Sequence, residues 1–266
     1  MRLKRMMAFA LLMCLFTATA LAADPTPTPP PLEITQEVLE PPALIRSVLD
    51  IAYSEWESVG GANLPDSNKY TKWRNNYKWG WCNGFITWCM LEAGVPMDDY
   101  DYFKEAAKST ADGFVPVEGV HYSKESSVGK LLPAFQMMNR TTMVPQPGYL
   151  LVYGASYSRY IHVGMVYDVQ ALGDGKYRIT TIEGNMNHTV KMFIHDYDMN
   201  AADKEKNLSV VPEAEQTVEV ARNLDYKIPQ GTVGGKKHNF YVNCFLMPWV
   251  PGDSLNEATT PTPPAN

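Results

Sequence analysis

The sequence predicts an α+β fold in which N-terminal helices pack on a mostly antiparallel β-sheet. Apolar residues recur at helical spacing over residues 43–58 and 82–93, ahead of every strand-like segment. From residue 147 the pattern changes to runs with the alternation and composition of β-strands. Helices first and strands afterwards, rather than the two in regular alternation, favour an α+β over an α/β organisation.

The first 22 residues have the three parts of a secretory signal peptide. Arg2, Lys4 and Arg5 supply positive charge, residues 6–18 form an almost unbroken apolar run, and residues 20–22 (ALA) fit a cleavage site. Spanning a bilayer takes about 20 apolar residues, so this run is too short for a membrane anchor. We therefore expect residues 1–22 to be removed and the mature chain to be secreted.

Segments rich in proline and threonine bound one central domain. Residues 23–31 are predicted to be a linker and residues 251–266 a tail, because such tracts are extended and cannot build a core. Residues 32–250 are long enough for one sizeable domain. A polar stretch near residues 200–238 is predicted to be an insertion in that domain.

Charge excludes one class of partner. Loss of residues 1–22 moves the formal net charge from −6 to −9. Phosphate binding needs clustered Lys and Arg, so no nucleic-acid partner is expected. No later segment is long and apolar enough to predict a stable membrane span.

The elements of the domain follow in order. A helix over residues 43–58 ends at Gly60, and the polar, aromatic residues 62–80 are predicted to form an ordered loop. A second helix begins at Cys82 and ends at Gly94. Helices and loops are expected over residues 98–140. Strands are predicted at residues 148–154, 160–169, 176–184 and 239–250, the second and third joined as a hairpin.

Three cysteines remain after signal removal, which leaves at least one thiol unpaired. Cys82 and Cys89 lie about 10 Å apart along a helix, beyond the roughly 7 Å between α-carbons that a disulfide allows. A Cys89–Cys244 disulfide and two buried thiols both remain open. The sequence has no CxxC and no histidine pair at ligand spacing, so we expect neither a metal nor a cofactor.

Cys82 is a candidate nucleophile because the amides of a helix N-terminus and a neighbouring histidine lower a thiol pKa. His162 is the candidate base, on the strand face opposite the apolar side chains at 161, 163, 165, 167 and 169. If Gly173 and Asp174 form the hairpin tip, Asn185 lies opposite His162 and Glu183 is its diagonal neighbour. Either group can orient an imidazole. The residues alone leave a catalytic site and a set of solvated polar groups beside an inert thiol equally open.

Five segments resemble the CHAP family, the cysteine- and histidine-dependent amidohydrolases and peptidases of the NlpC/P60 superfamily. They are residues 68–73 (NKYTKW), 81–94 (WCNGFITWCMLEAG), 147–148 (PG), 162–166 (HVGMV) and 181–185 (TIEGN). The resemblance implies a papain-like fold, with Cys82 as nucleophile, His162 as base, Glu183 as orienting acid and Asn185 as an auxiliary polar group.

The same resemblance implies a peptidoglycan or muropeptide substrate, cleaved at the muramoyl-alanine amide or within the stem or cross-bridge peptide. After cleavage of the predicted signal peptide, we expect a secreted, extracellular or cell wall-associated location. Two alternatives stay open: a cysteine peptidase or acyltransferase acting on proteins, and a surface-binding module that has kept the fold without catalysis.

Overall fold

The computed structural model describes residues 36–75, 80–116, 119–155, 158–216, 223–252 and 255. The predicted signal peptide and linker, and nearly all of the predicted tail, lie outside these residues. Within the described ranges, no helix combines the length and the apolar character needed to cross a membrane.

The helices lie in the first half of the described chain. They are α1 (Ala43–Val59), α2 (Lys69–Lys72), α3 (Cys82–Ala93), α4 (Tyr100–Ser109) and α5 (Val128–Met137). Short 3-10 helices occur at Lys204–Lys206 and Glu213–Glu215. The strands are β1 (Met97–Asp98), β2 (Tyr122–Ser123), β3 (Thr141–Thr142), β4 (Leu150–Ala155), β5 (Ser158–Gly173), β6 (Lys176–Glu183), β7 (Lys191–Asp198), β8 (Leu208–Val210), β9 (Leu224–Asp225), β10 (Gln230–Val233), β11 (Lys236–Asn239) and β12 (Tyr241–Leu246).

The main sheet confirms the predicted fold class. Its strand order is β3-β12-β4-β5-β6-β7-β8, every neighbouring pair is antiparallel, and β9 adds to β7 as a parallel partner. Strands β10 and β11 form a separate hairpin, and β1 and β2 a short parallel pair. The α+β arrangement is consistent with the papain-like fold.

The core has two parts, one on each side of the sheet. The larger part packs α1, α3 and α5 against the sheet, with Val163 and Met165 of β5 completely buried in it. The smaller part contains Tyr153 of β4 and Phe240. The predicted apolar face of β5 is wrong at its two ends, because Ile161 and Val169 pack in the smaller part. Register shifts in the ladders with β4 and β6 change which face these residues occupy.

Three local features differ from the sequence predictions: one helix, one strand and one turn. Helix α2 lies inside the predicted loop 62–80; its N-cap Asn68 accepts from the Tyr70 N–H through its side chain and donates its own N–H to the Thr71 hydroxyl. Strand β7 was not predicted. The β5–β6 hairpin turns at Asp174 and Gly175, both with positive φ, instead of at Gly173 and Asp174. In the predicted insertion, β8 and β9 pair with β7 and so extend the main sheet.

Candidate active site

Helix α3 begins at Cys82, as the sequence predicts, and side chains of its first turns fix its N-terminus. The Asn83 side chain is fully buried, donates to the Glu125 carbonyl and accepts from the Tyr122 hydroxyl at 3.0 Å. One turn later the Thr87 hydroxyl donates to the same carbonyl at 2.9 Å. These hydrogen bonds hold the first turns of α3 in place, and with them the Asn83 backbone N–H that lies against the Cys82 thiol.

Close approach of α3 and the end of β6 explains a glycine in the 181–185 segment. A Cβ at Gly184 would lie 2.4 Å from the Phe85 Cβ and 3.0 Å from the Trp81 ring. Only a residue without a side chain lets the strand end lie against the first turn of the helix. The glycine therefore brings the residues at the end of β6 next to Cys82.

His162 and Glu183 form a buried pair beside that helix end. The His162 Nε2 donates to Glu183 Oε2 at 2.8 Å, and the two residues are 6 % and 0 % exposed. A Cβ on Gly164 would lie 2.9 Å from Glu183 Cγ, so glycine at 164 makes room for the carboxylate. Since Nε2 is engaged with Glu183, Nδ1 is the nitrogen left for the hydrogen bond with the Cys82 thiol.

Two hydroxyl groups satisfy the other oxygen of Glu183. The Tyr153 hydroxyl donates to Oε1 at 2.5 Å and the Thr181 hydroxyl at 2.6 Å. A fully buried carboxylate needs such partners, because an unpaired buried charge is very costly. Neither hydroxyl is predicted above; Thr181 could have been found as the residue two positions before Glu183 on the same strand face.

The pKa values of the three groups favour a charged pair. Burial raises the pKa of the Cys82 thiol, but the hydrogen bond and charge of His162 and the backbone amides of Asn83 and Val163 lower it below its ordinary value. Burial lowers the pKa of His162, but Cys82 and Glu183 raise it from 6.5 to about 10. Burial also opposes ionisation of Glu183, yet His162 and the two hydroxyls hold its pKa below 4.5. The arrangement stabilises a thiolate beside an imidazolium.

The other two cysteines differ from Cys82. Cys89 and Cys244 are free thiols in the structure, so they do not form the disulfide left open above. Burial raises the pKa of Cys89 well above its ordinary value and that of Cys244 to about 11. Among the described residues, no group of three or more His, Cys, Asp or Glu could hold a metal ion.

Asn185 follows β6, and no hydrogen bond joins its side chain to the His162 ring among the described residues. Its backbone has a positive φ of 61°, and its side chain lies near Gly80, where an added Cβ would be 3.6 Å from Asn185 Nδ2. With His162 it lines a cleft of about 630 Å³. The structure thus brings Cys82, His162 and Glu183 together and places Asn185 in the lining of the cleft beside His162.

Comparison with protein-family models finds a match to the family described as CHAP domain, over residues 72–185. The matched segment begins in α2, contains Cys82, His162 and Glu183, and ends at Asn185. Comparison with curated proteins and with solved structures gives no match.

Proposed function

From the premise that this chain belongs to the CHAP domain family over residues 72–185, which implies an amidase or peptidase, we propose that it hydrolyses amide bonds of bacterial peptidoglycan through an acyl-enzyme. The bond is the muramoyl-alanine amide or one within the stem or cross-bridge peptide. Export through the predicted signal peptide at residues 1–22, which lie outside the described part of the chain, belongs to the same proposal.

The observation that carries the proposal is the buried line of Cys82, His162 and Glu183. The thiol pKa is lowered by His162, and Glu183 accepts from the other side of the same ring. A pure binding module needs neither a lowered thiol pKa nor a carboxylate buried behind a histidine. Perturbed groups that face one another in a cleft are typical of catalysis.

The proposed reaction begins with attack of the Cys82 thiolate on the amide carbonyl carbon. Backbone N–H groups at the start of α3, which have no partner within the helix, stabilise the oxyanion of the tetrahedral intermediate. The His162 imidazolium gives its proton to the leaving amine as the C–N bond breaks. His162 then takes a proton from water, the hydroxide attacks the thioester, and the thiol is released with the carboxylic acid product.

The test is digestion of purified peptidoglycan by the mature chain and by Cys82→Ala, followed by mass spectrometry of the released fragments. The wild type should release fragments with new amine and carboxylate ends, and Cys82→Ala should release none. Casein serves as the protein control. Cleavage of casein without cleavage of peptidoglycan would replace the proposed substrate with a protein, and wall cleavage that survives Cys82→Ala would remove the proposed nucleophile.

A further inference from the structure

The cleft beside His162 has a second wall that comes from outside the matched segment. Residues 223–240, called here the 223–240 wall, supply about half of its lining, and β5, β7 and the loop after β6 supply most of the rest. This wall includes β9 and the β10–β11 hairpin. A substrate that occupies this cleft beside His162 therefore contacts the 223–240 wall.

The wall is held firmly against the catalytic residues. Its Phe240 ring lies 5.7 Å from the His162 ring and 5.3 Å from the Tyr153 ring, centroid to centroid. A Cβ on Gly231 would lie 2.5 Å from the Phe240 ring, so the hairpin strand packs directly on that ring. At its start, Asn223 exchanges two hydrogen bonds of 2.8 Å with Trp56 of α1. These contacts join the wall to the His162 ring at one end and to α1 at the other.

The charges that line the cleft are unbalanced. Lys191 pairs with Asp225 at 3.0 Å, and the second Asp225 oxygen accepts from the Lys227 backbone N–H. Lys227 and Lys237 are exposed, line the cleft, and form no ion pair with any other described residue. In a chain with a net charge of −6, two ammonium groups that have no ion-pair partner among the described residues therefore line the same cleft. Positive charge concentrated in a cleft attracts anions there.

We propose that the 223–240 wall selects the substrate and that Lys227 and Lys237 bind carboxylate groups of an acidic peptide. This inference rests on the proposed function, since the stem peptide of peptidoglycan is a peptide with free carboxylates. In some bacterial cell walls the stem peptide carries these groups as amides, which removes their charge and keeps their shape. The two lysines therefore favour the acidic stem peptide over its amidated form.

The experiment measures binding separately from turnover. Two fluorescent stem peptides, one with free carboxylates and one with carboxamides, are titrated into the full mature chain carrying Cys82→Ala. Exposed ion pairs contribute up to about 1 kcal/mol each, so each lysine should strengthen binding of the acidic peptide about 3- to 5-fold, and the two together roughly 10-fold. Lys227→Gln and Lys237→Gln should each remove their share of that preference, and added salt should weaken it.

Lys236→Gln is the matched control. Lys236 precedes Lys237 on β11, is exposed, and does not line the cleft. It should leave the preference unchanged. Equal affinity for the two peptides, no binding of either, or an equal effect of Lys236→Gln would overturn the inference.

The proposed function is tested apart from this inference by digestion of peptidoglycan with Cys82 intact. Cleavage of peptidoglycan without a preference for the acidic peptide would reject only the role of the two lysines. A preference for the acidic peptide without cleavage of peptidoglycan would support that role and reject the proposed reaction.

Discussion

Replacement of Glu183 by glutamine is expected to impair turnover because it moves the proton of the neutral His162 ring from Nε2 to Nδ1. The Tyr153 and Thr181 hydroxyls both donate to Glu183 Oε1. They will hold the amide oxygen of a glutamine there, which turns its NH₂ group toward His162 Nε2. That NH₂ group donates, so it favours the ring with its proton on Nδ1, the nitrogen facing Cys82. In this form the ring cannot accept the thiol proton.

The structure sets the scale of the loss. The pKa of His162 is raised from 6.5 to about 10 by Cys82 and Glu183. At about 1.4 kcal/mol per pKa unit, this corresponds to roughly 5 kcal/mol in favour of the imidazolium. Glu183 supplies only part of this effect, so loss of its charge should cost on the order of 1 to 3 kcal/mol, or roughly 10- to 10²-fold in kcat/KM.

Steady-state kinetics on a defined muropeptide, measured across pH, checks this reasoning. The order of kcat/KM should be wild type, Glu183→Gln, Glu183→Ala, then His162→Ala. Alanine at 183 is worse than glutamine because it also leaves the buried Tyr153 and Thr181 hydroxyls and His162 Nε2 without their partner, and alanine at 162 removes the base itself. Because folding raises the pKa of His162, the stability that the imidazolium contributes is fully present below about pH 6.5 and is lost as the pH rises to about 10. The alkaline limb of the wild-type profile should therefore lie near pH 10, and in Glu183→Gln it should move toward neutrality.

Asn185→Ala serves as the comparison, because Asn185 is the other candidate for orienting His162. It lines the cleft and forms no hydrogen bond with His162 among the described residues, so its loss should affect KM more than the pH profile. If Asn185→Ala is crippled while Glu183→Ala turns over nearly as fast as wild type, the two roles must be exchanged.

Two further predictions concern the thiols and a glycine. Iodoacetamide should label Cys82 before Cys89 and Cys244, because burial raises the pKa of the other two thiols. The pH dependence of the labelling rate at Cys82 should give a pKa below the free-thiol value of about 8.5. Equal labelling of all three cysteines would contradict a thiolate at Cys82. Gly164→Ala should lower kcat/KM by at least about 10-fold, since its Cβ would lie 2.9 to 3.0 Å from the Glu183 side chain. Gly129→Ala, whose Cβ meets only ordinary contacts in α5, is the control, and equal activity of the two variants would show that the carboxylate tolerates displacement.

The helix and hairpin that carry the candidate site could be predicted because their signals are local. Apolar spacing with Gly94 as a stop places Cys82 at the start of α3. Period-two alternation places His162 and Glu183 on one face. The hairpin shows the limit of such reasoning, because its tip lies one residue later than predicted. Two bulges then restore the pairing of Met165 with Ile182 that the earlier tip would have given, and no sequence pattern indicates bulges that compensate one another.

The partners of Glu183 and the second cleft wall could not be predicted because they depend on distant pairing. Tyr153 reaches Oε1 because β4 pairs with β5 in a register that sets Tyr153 opposite His162. The 223–240 wall comes from a polar stretch without periodicity, and Phe240 brings it to His162 from 78 positions later in the chain. Packing decides both positions, and single-sequence patterns do not record it.

Two buried histidines show why partners, rather than burial, make His162 the base. His162 and His195 both pack against the Tyr153 ring, at centroid distances of 5.7 and 6.5 Å. Burial lowers the pKa of His195 to about 4, and neither of its ring nitrogens has a hydrogen-bond partner within the described part of the chain. Burial acts on His162 in the same direction, but Cys82 and Glu183 reverse it and raise the pKa to about 10. A buried histidine on this sheet face becomes a base only where a thiol bonds one ring nitrogen and a carboxylate bonds the other. Strand β5 provides that position at residue 162.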